Sequence, residues 1–285
     1  MQLEKIRRET NPFSPYNLII ILLLFVLILW SWQSTQMSLK ALLGGWQNMI
    51  VYIRGNPNIE GSGFLPPNLN TYRIHKYLAS MLETVQMAFL ALILSVLIAF
   101  PLSFLASRNT LEIIFPGKRI SSRILRKSVY TGVRFAANLS RSINELVWAL
   151  IFVSAVGLGA MPGILALGIH TSGVLIKLFS EGIENIQSEP VDALAATGAG
   201  FVKVIRFAVI PQITPFSVSM MLYRFESDVR SATILGFTGA GGIGVYLYDK
   251  LRSYENHDVT MILLIIIATV AVVDHISAVI RKKYT

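Results

Sequence analysis

Three observations predict an all-α membrane protein that crosses a bilayer about six times. Of 285 residues, 53% are hydrophobic and only 14% are charged, against about 25% charged in soluble domains. Six apolar stretches approach the length of a crossing: a ~30 Å hydrocarbon core takes roughly 20 residues at about 1.5 Å each. The Lys and Arg residues, finally, fall in the gaps that six crossings would place on one side.

In chain order, the first span is Asn17 to Trp32, closed by Trp30 and Trp32, which suit an interface. A basic start before an apolar run also fits a secretory signal. However, Trp30-Ser31-Trp32-Gln33 offers no small-x-small cleavage site, so an uncleaved anchor is expected. Leu39, Leu42, Leu43, Trp46, Met49, Ile50 and Ile53 recur at helical spacing and predict an amphipathic helix on the outer membrane face. Asn56-Pro57, Gly61-Ser62-Gly63 and Pro66-Pro67 predict a loop after it. The second span is about Leu78 to Ala106. The third lies within about 130–157 and is densest from Ile143. The fourth is about Gly163 to Phe179, the fifth about Ile213 to Phe237, and the sixth Val259 to Ile280.

Lys5, Arg7 and Arg8 precede the first span, and Arg108, Lys118, Arg119, Arg123, Arg126 and Lys127 separate the second from the third. Lys203 and Arg206 precede the fifth, and Arg281, Lys282 and Lys283 close the chain. Six spans bring all four clusters to one side, the expected cytoplasmic side, with both termini there. This explains the net charge of +9 without nucleic acid, for which no aromatic-interleaved basic stripe is present. Cysteine is absent, so no disulfide or Cys-based metal site can form.

The most specific motif is Asp192-Ala193-Leu194-Ala195-Ala196-Thr197-Gly198, followed at a fixed distance by Ile210-Pro211. Ser188-Glu189-Pro190 reads as a helix start, the small residues suit a helix seated in a partner's groove, and Pro211 is expected to break the structure before the fifth span. The segment resembles the cytoplasmic "EAA" loop of ABC-importer permeases: an acidic residue, two Ala, three residues, Gly, nine residues, Ile, one residue, Leu-Pro. Asp192 stands for Glu, Leu194 for the second Ala, Ala208 for Ile and Ile210 for Leu. Further segments resemble the permease subunit of phosphonate ABC importers. They are Glu83-Thr84-Val85-Gln86, Arg141 to Leu150, Val156-Gly157-Leu158-Gly159, His170 to Leu175, and Tyr223-Arg224-Phe225-Glu226 with Val229 to Thr233.

That resemblance covers roughly residues 76–285 and implies a type I ABC-importer permease core there, with the coupling loop at about 181–212. Residues 1–75 would be an anchor helix with an external segment. It implies an ATP-driven importer of phosphonate, phosphite or phosphate in a bacterial cytoplasmic membrane, built on two copies of this chain. Its partners would be two ABC ATPase subunits, holding the ATP and Mg, and a periplasmic or lipid-anchored phosphonate-binding protein. Asp192, Ala193, Ala196, Gly198, Ile210 and Pro211 would contact the ATPase. This chain would carry no cofactor and no catalytic or metal site. It has no Gly-x-x-x-x-Gly-Lys-Ser/Thr, no His-Glu-x-x-His and no Gly-x-Ser-x-Gly. An importer for another solute such as an amino acid, or a secondary transporter, remains an alternative, though no internal repeat supports the latter.

Charges within the spans carry the remaining expectations, because a charge at the bilayer centre costs about 2.5–3.5 kcal/mol on insertion scales. In the fifth span Arg224 and Asp228 are four apart, as are Glu226 and Arg230, so each pair can neutralise itself. Alternatively His170, Arg224, Glu226 and Arg230 line the substrate pathway, an Arg fork suiting phosphonate oxygens. Arg141 and Glu145 are also four apart, and Ser142 to Glu145 fits a capping box that starts or bends a helix. Lys177 and Glu181 are expected to pair, and Asp274-His275 to pack within the last span. Gly239-Ala240-Gly241-Gly242-Ile243-Gly244 satisfies a dinucleotide fingerprint but follows a membrane span rather than a strand. Gly239, Gly241, Gly242 and Gly244 are expected instead to form a close-packed external gate, or a plain loop.

Overall fold

A computed structural model describes residues 15–55, 63–117 and 119–284. Most of the described residues are helical, and they contain no strand. The helices are α1 (Pro15–Ser34), α2 (Leu39–Arg54), α3 (Thr71–Leu105), α4 (Arg108–Ile114), α5 (Ile120–Ser142), α6 (Glu145–Val156) and α7 (Ala160–Glu184). Then follow α8 (Glu189–Ala196), α9 (Phe201–Val204), a π turn (Ile205–Val209), α10 (Ile210–Leu235), α11 (Ile243–Arg252) and α12 (Asn256–Tyr284). Lys5, Arg7, Arg8, Lys118, Asn56-Pro57 and Gly61-Ser62 lie outside the described residues.

Five helical segments are long and apolar enough to cross a membrane: α1, α3, α7, the run 201–238, and α12. The sixth crossing is not one helix. α5 and α6 qualify only together and meet at 89°. The break falls at Ile143-Asn144, where α5 stops and the Asn144 side chain accepts from Leu146 N at 2.9 Å. The bend was expected, but the cap is Asn144 and not a Ser142–Glu145 box. Arg141 and Glu145, now on different helices, do not pair: Arg141 Nε bonds Asn138 Oδ1 at 3.1 Å.

α7 is the hub, packed against α3, α5, α6 and α10. Small residues bring these backbones close, as membrane helices require. A Cβ on Gly168 would lie 2.6 Å from Leu94 of α3, and one on Gly173 would lie 2.6 Å from the Ala137 carbonyl of α5. Hydroxyls lace the same seams: Ser95 Oγ donates to Gly168 O at 2.9 Å and Ser140 Oγ to Ile169 O at 2.5 Å. The buried cores run along the bundle. Tyr77, Met81, Val229, Ile243 and Ile262 fill one end, Ala99, Leu175 and Phe179 the middle, and Phe104, Ile183, Val209 and Ile213 the other.

The last of these ends is the basic one. There Arg134 Nε donates to Ala106 O at 3.0 Å and its Nη2 to Glu184 at 2.9 Å, tying α5 to α7 and to the end of α3. At the opposite end Asp258 is buried and receives Tyr77 Oη at 2.9 Å, Asn68 Nδ2 at 3.1 Å, and Arg73. Arg73 also meets Glu255 at 2.9 Å, and Lys250 donates to Glu255 at 2.7 Å. That ammonium holds the Glu255 carboxyl below the usual carboxylate range.

No residue of α1 or α2 is buried. α2 is the expected amphipathic helix, with Ser38 capping it by accepting from Ala41 N at 3.2 Å. Leu and Ile side chains along α1 are 40% exposed or more, an apolar surface that a bilayer covers and water would not.

Candidate functional site

The residues expected to bear on function fall mainly in two regions: a charged cluster where α10 crosses α6 and α7, and the 185–212 segment at the basic end.

In the first, Asp228 is fully buried on α10. Thr171 Oγ1 of α7 lies 2.8 and 3.0 Å from its two carboxylate oxygens. Arg224 Nη2 donates to Asp228 Oδ1 at 3.1 Å and to Thr171 Oγ1 at 2.9 Å. Burying one of these charges alone would cost several kcal/mol, so the pair and its hydroxyl form one neutral unit. Arg224 Nε is buried and has no partner among the described residues, so the guanidinium keeps a buried donor unspent.

Beside this unit, Glu145 opens α6 and accepts from Ser231 Oγ of α10 at 2.7 Å. His170 Nδ1 lies 2.9 Å from Ile143 O, a carbonyl released by the α5–α6 break. A carbonyl can only accept, so Nδ1 carries a proton. His170 Nε2 faces Glu145 at 3.7 Å. The helix break therefore lets one histidine read both a freed carbonyl and a carboxylate. His170 and Arg224 thus belong to a single cluster, together with Thr171, Glu145 and Ser231, which the sequence did not single out as its members.

Glu226 and Arg230 do not pair with each other as expected. Arg230 Nη1 meets Asp274 of α12 at 3.1 Å, and Glu226 meets Arg281 of α12. Both point to α12, away from Arg224 and Asp228, and the nearby opposite charges of α12 outcompete the four-residue spacing. Asp274 is thereby tied to Arg230 rather than to His275. Lys177 and Glu181 do pair, at 3.6 Å on the surface.

In the second region, α8 begins at Glu189 with Pro190 in its first turn, as expected, but Ser188 makes no side-chain cap. Asp192, Ala193, Ala196 and Gly198 are exposed. Gly198 has φ +76°, and a Cβ there would meet nothing within 4 Å, so glycine is needed for conformation rather than for space. Inner residues Val191, Ile205 and Ile210 pack on the core of Ile183, Val209 and Ile213. Pro211 does not break the chain: helix runs on from 201 to 235, and the π turn 205–209 absorbs the proline. Gln212 stitches the segment down, accepting from Gln187 N at 3.0 Å and donating to Ala208 O at 2.8 Å.

The glycine run follows α10, and no strand precedes it, so it is no dinucleotide fingerprint. Gly239, Gly241 and Gly242 have φ of +84°, +81° and +72°. They fold the chain back so that Gly159 N donates to Gly239 O at 3.0 Å and Ile243 N to Thr84 Oγ1 at 2.8 Å. A Cβ on Gly244 would lie 2.2 Å from Thr233 O. These contacts tie the run to Thr84 of α3, to Gly159 just before α7 and to Thr233 of α10.

Residues 119–284 match the family described as binding-protein-dependent transport system inner membrane component. The chain belongs to this family of multi-pass membrane permeases. It is 46% identical over 147 residues to the phosphite transport system permease protein PtxC of Stutzerimonas stutzeri, covering 52% of this chain and 54% of that one. It is 47% identical over 120 residues to the cryptic phosphonate transport system permease protein PhnE2 of Escherichia coli (strain K12), covering 42% of this chain and 98% of that one. The chain spans about half the length of the phosphite-transport relatives that it matches. Among solved structures, a chain of the MetNI methionine ABC transporter in an inward-facing conformation superposes with a TM-score of 0.64 at 20% identity, covering 76% of this chain and 100% of that chain. This likeness establishes the fold.

Proposed function

We propose that the chain is the membrane-spanning subunit of an ATP-driven importer that carries phosphonate or a related phosphorus oxyanion such as phosphite or phosphate. The observation that carries the reading is the 189–211 segment: a short helix with an exposed acidic and small-residue face, turned by Gly198 and anchored through Gln212 to a spanning helix. Such an element has a use where a separate protein pushes on it. The substrate class rests on the likeness to phosphite and phosphonate permeases.

Two copies of the chain form the pathway in a bacterial cytoplasmic membrane, with both termini and the basic end inside. Residues 76–285 are the permease core, and 1–75 supply an anchor and an external segment. Two ABC ATPases, holding ATP and Mg, dock on Asp192, Ala193, Ala196, Gly198, Ile210 and Pro211. A periplasmic or lipid-anchored binding protein delivers the anion outside. Closure of the ATPases moves this segment, and α10 carries the motion to the Arg224 cluster, so that the path opens alternately outward and inward. The chain itself performs no catalysis.

Within the path, Arg224 and His170 are the residues to meet the anion. An arginine already shared with Asp228 and Thr171 binds weakly enough to release. Glu226 and Arg230, engaged with α12, hold the pathway helix in place. The run Gly239, Gly241, Gly242 and Gly244 seals the outer end as a gate.

The test is ATP hydrolysis by the complex in vesicles, with binding protein loaded with phosphite, phosphate or an alkylphosphonate. Stimulation by at least one loaded form is expected. An intact complex stimulated by none of them overturns the substrate class. Gly198→Asp, which forces a side chain onto a left-handed backbone at the docking face, should keep the folded chain and abolish stimulation; normal uptake by this variant would sink the docking assignment.

A further inference from the structure

At the basic end a cleft of about 630 Å³ opens between α4 and the first half of α5. Arg123, Arg126, Lys127 and Tyr130 form one wall, and steps of three, four and seven residues place them within an arc of roughly 100°. Arg108 and Glu112, one turn apart on α4, form the other. Four cations therefore face one carboxylate.

Their local partners are few. The Arg108 guanidinium lies 5.1 Å from the centre of the Tyr130 ring, and Arg126 Nη2 donates to Gly117 O at 3.3 Å. Arg123, Lys127 and Glu112 have no side-chain hydrogen bond or ion pair with any described residue. Arg134, one turn beyond Tyr130, is in contrast held by Glu184 and the Ala106 carbonyl. The fold thus satisfies the cation it half buries and gathers the outer ones around a space without compensating their charge. Ile120, Ile124 and Leu125 are exposed on the same stretch of α5. Cations beside exposed apolar groups are the pattern of a helix at a membrane interface.

We infer that this cleft binds a phosphate-bearing anion, and that the apolar residues beside it make the headgroup of an acidic phospholipid in the adjoining leaflet its natural source. Juxtamembrane basic pockets attract such headgroups. A volume near 630 Å³ also exceeds the need of a lone phosphate and suits a headgroup with its glycerol. Free inorganic phosphate or phosphite shares the chemistry and is the other source.

The full-length chain in neutral detergent is titrated with phosphatidylglycerol or phosphatidylcholine, and bound lipid is counted by native mass spectrometry. The wild type should retain phosphatidylglycerol at about tenfold lower concentration than phosphatidylcholine, and Arg123→Gln with Lys127→Gln should abolish that preference with no change in thermal unfolding. Glu112→Gln, which removes the one opposing carboxylate, should strengthen retention. A second arm titrates millimolar inorganic phosphate and phosphite by calorimetry. Heat from these, lost in the double variant, without a lipid preference, assigns the site to the free anion. With no anion heat, equal retention of both lipids, or equal phosphatidylglycerol retention by wild type and double variant, overturns the site.

Discussion

Arg224–Asp228 and Glu226–Arg230 are two charge pairs with the same spacing on one helix, and they have opposite fates. The first closes on itself, is buried, and recruits Thr171 from α7. The second opens, and each member takes a partner on α12, Arg281 for Glu226 and Asp274 for Arg230. Spacing alone says what can pair. What does pair depends on whether a neighbouring helix offers hydroxyls or opposite charges, and on how dry the face is. On the inward face Asp228 is fully buried and Arg224 nearly so, and the two keep to one unit with Thr171. The face toward α12 is half exposed at Arg230 and Asp274 and can afford pairs reaching between helices.

The contrast is broken most sharply at Asp228. Asp228→Ala should cost about 3–5 kcal/mol by stranding Arg224 in a dry site; the loss is read from thermal unfolding of the purified chain, and a fall under 1 kcal/mol would mean that water reaches the cluster. Thr171→Val removes the hydroxyl that both charges touch and should cost about 1–3 kcal/mol, with transport reduced more than stability. On the other face Glu226→Gln should cost about 1 kcal/mol, and a charge swap, Glu226→Arg with Arg281→Glu, should recover part of it; Arg230→Gln, at an exposed pair, should cost at most about 0.5 kcal/mol. Identical losses on the two faces in one melting series would erase the distinction.

The smallest effect belongs to a third setting, the aqueous end. Glu255 has its folded pKa lowered, chiefly by Lys250. Its stabilising contribution is therefore present above the unfolded value of about 4.3 and is lost as pH falls through the lower folded value. Melting curves for wild type and Glu255→Gln should differ at pH 7 and converge at acid pH; a constant gap would exclude the linkage.

Much of the fold was legible because lipid imposes long apolar runs, and the runs ending at Trp32, Ala106 and Ile280 could mean little else. The short helix at 189–196 and the turn at Gly198 were legible from Ser188-Glu189-Pro190 and the small residues after them. The 89° break in the third crossing was half legible: the bend was expected near Ser142, but the signal that fixed it was Asn144 directly before Glu145, a cap that ends one helix and starts another. The cluster partners were not legible. Thr171 lies 57 residues from Asp228 and Ser231 lies 86 from Glu145, and nothing local in the sequence distinguishes these hydroxyls from others on the same helices. For the same reason the α12 partners of Glu226 and Arg230 lay beyond a reading of helical spacing.

The π turn at 205–209 makes the distance between Gly198 and Pro211 a matter of phase. A π turn carries an extra residue compared with α geometry, and one residue turns a helix by roughly 100°. With it, Val204, Ala208, Val209 and Ile213 all face the core while Arg206 and Phe207 face outward. Deleting one residue from this turn would rewind it and swing the exposed face of α8 around the axis while α10 stayed put. The two ends of this continuous helix are therefore indexed independently, like gear wheels keyed at a chosen angle on one shaft.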